Sequence, residues 1–165
     1  MKKILVAAVL LATSSAALAA TTTGTVGVSA SVGANCIVST LPMAFGVYDP
    51  LSATPKNATG QVQLVCTLGA TPSVAVDVGL NVSGVQRRMV SGGNFLNYDV
   101  FTPTTNAANA ACAYTTAFPT AIPGYALTAA PSTASRSYNL CGQVPALQSV
   151  PNGSYNDTVT ATISF

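Results

Sequence analysis

The chain is predicted to be an all-β sandwich, and three observations predict it. Val, Thr, Tyr and Phe recur at period two in five stretches, which is the spacing of a strand with one face buried. Ten prolines and thirteen glycines punctuate those stretches. No stretch carries the 3.6-residue periodicity with charged faces that an amphipathic helix needs. Short strands at regular spacing with turns between them fit a sandwich.

The first element stands apart from the fold. Lys2 and Lys3 precede an apolar run from Ile4 to Leu11, and Ala17-Leu18-Ala19 places small residues where a signal peptidase cuts. Residues 1–19 therefore read as a secretory signal peptide, with Ala20 as the first mature residue. The alternative, an uncleaved anchor, is short for a membrane span and is broken by Thr13, Ser14 and Ser15.

From Ala20 to Tyr48 there is no charged side chain. Within this segment residues 22–33 alternate cleanly, with Val26, Val28, Ala30 and Val32 on one face and small polar residues or glycine on the other. The segment reads either as the sandwich's own first strand or as a strand that completes another domain. Strand addition takes its affinity from main-chain hydrogen bonds and its specificity from alternate side chains. Such a strand without charge or proline is also prone to aggregate if left free.

Residues 61–66, 74–78, 95–101 and 155–165 supply further alternating strands, the last with Val159, Ala161, Ile163 and Phe165 on one face. Asp49-Pro50, Pro123-Gly124 and Pro151-Asn152-Gly153 are turn signals. Residues 102–135 are rich in Thr, Ala, Asn and Pro and read as a long decorated loop. Arg87-Arg88 reads as a solvated strand edge. Tyr48, Tyr98 and Tyr155 read as core or corner tyrosines, and Asp157 as a brace for the turn into the last strand.

Composition excludes most chemistry. Only 6% of the residues are charged; there is no His, and all four acidic residues are Asp. Acid–base pairs, triads and His-based metal sites cannot be built from such a set, so no enzyme, cofactor or metal is expected. The formal charge is +2, and both excess lysines lie in the export signal. Lys56, Arg87, Arg88 and Arg136 balance Asp49, Asp77, Asp99 and Asp157 in the remainder, which is too neutral for a nucleic-acid binder. All four cysteines, Cys36, Cys66, Cys112 and Cys141, fall in the exported part and read as disulfides. Three connectivities are open. Cys36–Cys66 with Cys112–Cys141 is favoured because neighbouring strands are usually neighbours in sequence.

Several segments, in order along the chain, resemble the spore coat protein U domain family, which includes the pilins of archaic chaperone–usher pili. Residues 23–32 followed by Asn35-Cys36 resemble the family's donor strand and first cysteine. Phe45-Gly46-Val47-Tyr48-Asp49-Pro50 resembles its turn region, residues 60–67 the strand of the second cysteine, and residues 95–101 its L-x-Y strand. The end is the most specific part: Cys141-Gly142-Gln143-Val144-Pro145, then Pro151-Asn152-Gly153-Ser154-Tyr155, closing on Ile163-Ser164-Phe165.

The resemblance implies an incomplete immunoglobulin-like sandwich in residues 35–165, completed by a donor strand (residues 20–34) from a neighbouring subunit. Val26, Val28, Ala30 and Val32 are the implied donor side chains. Tyr155, Val159, Ala161, Ile163 and Phe165 are the implied wall of the acceptor groove and chaperone contact. Cys36–Cys66 matches the family's disulfide. The implied partners are like subunits in a head-to-tail polymer, a periplasmic chaperone and an outer-membrane usher. The implied place is the cell surface, as a pilus supporting adhesion and biofilm formation. Ala30 is smaller than the bulky residue usual at a donor position. The competing expectation is a self-complete secreted binding or coat module, in which residues 22–33 pair within their own chain.

Overall fold

The computed structural model describes residues 19–165, so the signal-peptide assignment falls, but for Ala19, outside the described residues. Among the described residues nine strands follow one another: β1 (Cys36–Leu41), β2 (Lys56–Cys66), β3 (Ser73–Val76), β4 (Arg87–Ser91), β5 (Asn94–Pro103), β6 (Cys112–Ala117), β7 (Tyr125–Ala126), β8 (Arg136–Val144) and β9 (Ala161–Ser164). They form two antiparallel sheets. The larger runs β1-β2-β8-β5-β4, with β6 also beside β5, and the smaller runs β7-β3-β9.

Period two builds the core. Val62, Leu64 and Cys66 on β2, Tyr138 and Leu140 on β8, and Leu96, Tyr98 and Val100 on β5 point inward from the larger sheet. They meet Val74 and Val76 of β3 from the smaller sheet, while Phe118, Leu127 and Ala130 seal one side from the connections. From Gly60 onward every second residue of β2 is buried, as a pleated strand with one wet face requires.

Both disulfides join strands. Cys36–Cys66 links β1 to β2 with the two residues directly opposite in register. Cys112–Cys141 ties the start of β6 to the middle of β8.

Four sequence expectations are corrected. Residues 22–33 are not the sandwich's own first strand: they carry no strand within this chain, because alternation prepares a face but a strand also needs a neighbour for its backbone N–H and C=O groups. The last segment is ladder-paired only at Ala161–Ser164, against β3. Upstream, Asn156 instead exchanges two backbone hydrogen bonds with Val90 of β4, so the chain crosses from one sheet to the other. Residues 102–135 are not simply loop: they contain β6 and β7, whose short lengths hide any period. Arg87 is not a solvated edge. It is 4% exposed, and it donates from Nε to the Asp77 carbonyl at 2.9 Å and from Nη2 to the Val76 carbonyl at 2.7 Å.

Candidate functional site

The site is a groove between two strands that each lack a partner on one edge. Among the described residues β1 pairs only with β2, and β9 only with β3. β1 is exposed over nearly its whole length, including Ile37 and Leu41, so the smaller sheet leaves this flank of the larger one uncovered.

One wall is the segment that follows β1. Met43 and Phe45 turn inward and pack, half-buried, on the core. Their seat is made by two glycines on neighbouring strands. A Cβ at Gly142 of β8 would meet the Met43 sulfur and, at 2.9 Å, the Phe45 ring, and one at Gly60 of β2 would lie 3.1 Å from the Met43 Cβ. The Asp49-Pro50 turn closes this wall, with the Leu51 N–H on the Asp49 carboxylate at 2.9 Å. The Tyr48 hydroxyl donates to the Pro145 carbonyl and accepts from the Gln148 N–H, both at 2.9 Å.

The other wall is the last segment. Tyr155, Asp157, Val159, Ala161 and Ile163 are half-buried, and the residues between them are exposed. Here the backbone also alternates. The carbonyls of Thr158 and Thr160 accept from the N–H groups of Leu80 and Asp77. The backbone groups of Val159 and Ala161 therefore point to the opposite, unpaired edge. They are what an added strand would bond.

Between the walls lie two cavities, of about 700 Å³ and about 310 Å³, that share Met43, Phe45, Met89 and Asn156. Val76, Tyr98, Val100 and Leu140 floor the smaller, and Leu96 and Met89 line the larger. Phe45 and Tyr98 meet edge to face, with ring centroids 6.1 Å apart.

A polar cluster centred on Asp157 lies beside the apolar floor. The Asp157 carboxylate accepts from the Leu80 N–H (3.1 Å), the Asn81 amide (2.9 Å) and the Tyr98 hydroxyl (2.7 Å). Burial, and then the donated bond to Asp157, push the Tyr98 phenol far above its ordinary pKa, so it stays a donor. Beside it, burial works to raise the Asp77 carboxyl. The N–H groups of Thr160 and Gly79 and the charge of Arg87 outweigh that and hold it below the usual range. Arg87 itself is drawn below the ordinary arginine value, chiefly by burial.

The residues singled out in the sequence distribute as follows. Val159 and Ala161 line the smaller cavity and Tyr155 the larger. Ile163 packs on the core beyond them, and Phe165 is half-exposed and lines neither cavity. Val26, Val28 and Val32 are 87%, 93% and 87% exposed, and Ala30 is exposed with them. Sequence reasoning did not single out Met43, Met89, Leu140 or Val76 as groove residues. Gly60 and Gly142, small residues inside strand runs, were the available signal for the first of these.

The chain was compared with known proteins. The spore coat protein U domain profile matches residues 22–162. Protein U of Myxococcus xanthus is 32% identical over 170 residues, covering 92% of this chain and 89% of that protein. Among solved structures, a likeness is found in the CsuC–CsuE chaperone–tip adhesion subunit pre-assembly complex from archaic chaperone–usher Csu pili of Acinetobacter baumannii. The TM-score is 0.55 at 23% identity, over 81% of this chain; the chain spans 40% of the length of that one, and the likeness is one of fold. With an all-β sandwich open along one flank and a profile match over most of its length, the chain belongs to the spore coat protein U domain family.

Proposed function

We propose that this chain is a structural subunit of a bacterial surface pilus, assembled by donor-strand exchange. In this reading a periplasmic chaperone first fills the groove between the walls 42–48 and 155–163. An outer-membrane usher then exchanges the chaperone strand for residues 22–33 of the next subunit. The product is a head-to-tail fibre at the cell surface that supports adhesion and biofilm formation. Such a contact is heterologous and does not close on itself, so it gives filaments.

The observation that carries the reading is the pairing deficit: a groove of apolar side chains runs along the free edge of β9, where backbone groups await a partner. The complementary deficit is at residues 22–33, an uncharged alternating segment that carries no strand. A self-complete secreted module would pair that segment within its own chain. The family membership and the chaperone–subunit complex of similar fold support the same choice.

The test is electron microscopy of the mature chain from Ala20, prepared with and without its chaperone. Fibres are expected only after chaperone release. A variant with a second copy of residues 20–33 appended by a flexible linker after Phe165 is expected to remain a monomer. A mature chain that stays monomeric on its own, and ignores a synthetic 20–33 peptide, overturns the proposal.

A further inference from the structure

Of the five inward residues on the last segment, Tyr155, Asp157, Val159, Ala161 and Ile163, one is charged. Asp157 cannot swing out of the way, because three donors from two other segments hold its carboxylate: Leu80, Asn81 and Tyr98. It lies next to Asn156, which lines both cavities. A bulky apolar side chain placed against Asp157 would strip water from a carboxylate without returning a hydrogen bond, which is unfavourable.

The donor segment has one position made for such a place. Its inward series is Val26, Val28, Ala30 and Val32, with Ala30 the smallest. We infer that Asp157 sets the register of the incoming strand by admitting only Ala30 of a neighbouring copy opposite it. The inference rests on the donor-strand reading above and deepens it.

Direction and register follow. All named strand pairs among the described residues are antiparallel. An antiparallel donor with Ala30 across from Asp157 places Val28 at Val159, Val26 at Ala161 and Gly24 at Ile163, with Val32 at Tyr155. Size then complements size: the valine Val26 meets an alanine, and Gly24 meets the isoleucine. A slip of two residues one way puts Val32 on Asp157; a slip the other way puts Val28 there. A slip of one turns the polar face inward.

The exposed residues of the last segment report the register while leaving its inward series unchanged. In this arrangement Ser29 lies across from Thr158, whose backbone groups face away from the donor, so the two form a non-hydrogen-bonded pair with close side chains. All four native cysteines are bonded, so introduced thiols stand alone. The experiment uses polymer of the mature chain carrying Ser29→Cys with one of Thr158→Cys, Thr160→Cys or Asn156→Cys, oxidised and run without reductant. The expected result is a ladder of covalent multimers for Ser29→Cys with Thr158→Cys. Ala30→Leu, in a segment with no strand in its own chain, is expected to cut polymer yield roughly tenfold, as overpacking does. A ladder from the Thr160 or Asn156 pair, or none from any pair in intact fibres, overturns the register and leaves the pilus reading standing. Full polymer yield from Ala30→Leu also overturns it. Failure of the unsubstituted chain to polymerise overturns the pilus reading, and the register with it.

Discussion

Arg87 shows how one residue can join two sheets. It leaves β4 of the larger sheet and ends on the carbonyls of Val76 and Asp77, at the end of β3 in the smaller. No carboxylate pairs with it directly. Instead the carbonyls accept its N–H groups, and Asp77 lies near enough for its charge to be felt. Next to it, Asp77 accepts from the N–H groups of Gly79 and Thr160, at 3.0 and 2.9 Å. These bonds favour the ionised carboxylate, so its folded pKa is depressed. A depressed carboxyl contributes stability that is fully present above its unfolded value of about 4 and is lost as pH falls through the folded value. Chemical denaturation of the self-complemented monomer should therefore give a midpoint that is flat from neutral pH to about pH 4 and falls below it. Asp77→Asn should flatten the acid limb. An acid limb of unchanged slope in that variant would place the loss elsewhere. Replacing Arg87 by Met removes the donors from the carbonyls of buried Val76 and half-buried Asp77, and the same measurement should show a loss of about 2–4 kcal/mol.

At the scale of elements, the decisive relation is between a loop and two strands. The segment after β1 can turn inward because Gly60 and Gly142 leave room beneath Met43 and Phe45. Gly142→Ala should cost about 1–3 kcal/mol by overpacking, since its Cβ would meet both side chains. Met43→Ala in the same chain should recover part of that loss, a coupling that only contacting residues show. Additive losses in denaturation would mean that Met43 and Gly142 do not touch.

This element also marks what the sequence made legible. The alternating runs in β2 and β5 announced strands because each has a wet face and a dry one, whereas β3 is buried on both faces and was legible only by its β-branched residues. Along the last segment Tyr155, Val159, Ala161 and Ile163 are half-buried and the residues that alternate with them from Val159 to Ile163 exposed, since period two survives even where ladder pairing does not. What could not be read was which edge lacked a neighbour. Pairing depends on residues far apart in the chain, such as Val76 opposite Ala161. Met43 and Met89 were hidden because neither belongs to an alternating run, and the burial of Arg87 because a charged pair reads as surface until its carbonyl partners are known. The Cys36–Cys66 bond holds β1, the exposed strand that leads into the groove wall. It closes a loop that the chain-entropy model values at about 3–4 kcal/mol. Cys36→Ser with Cys66→Ser should therefore weaken binding of the 20–33 peptide as well as lower stability, measured by titration and by denaturation.

The whole molecule is nearly without charge, and that shapes how copies can meet. Residues 20–165 carry four basic and four acidic side chains, so their formal side-chain charge is zero. Of these, Arg87 is buried, and Asp77 and Asp157 are occupied by hydrogen bonds. Residues 20–33 have no charge, and Asp157 is the one charge on the inward face of the last segment. Long-range steering, which speeds encounter between oppositely charged surfaces, is then absent, and so is the repulsion that would keep like-charged copies apart. Assembly should rest on apolar burial and strand pairing, which salt at moderate concentration does not screen. The rate of fibre growth after chaperone release should accordingly change by less than about threefold between 10 mM and 300 mM sodium chloride, where steered association falls steeply. Sulfate, which strengthens apolar burial, should accelerate growth at equal ionic strength. Light scattering of growing fibres decides the matter: a steep fall with sodium chloride would mean that charge brings the subunits together, and that the groove acts only after they have met.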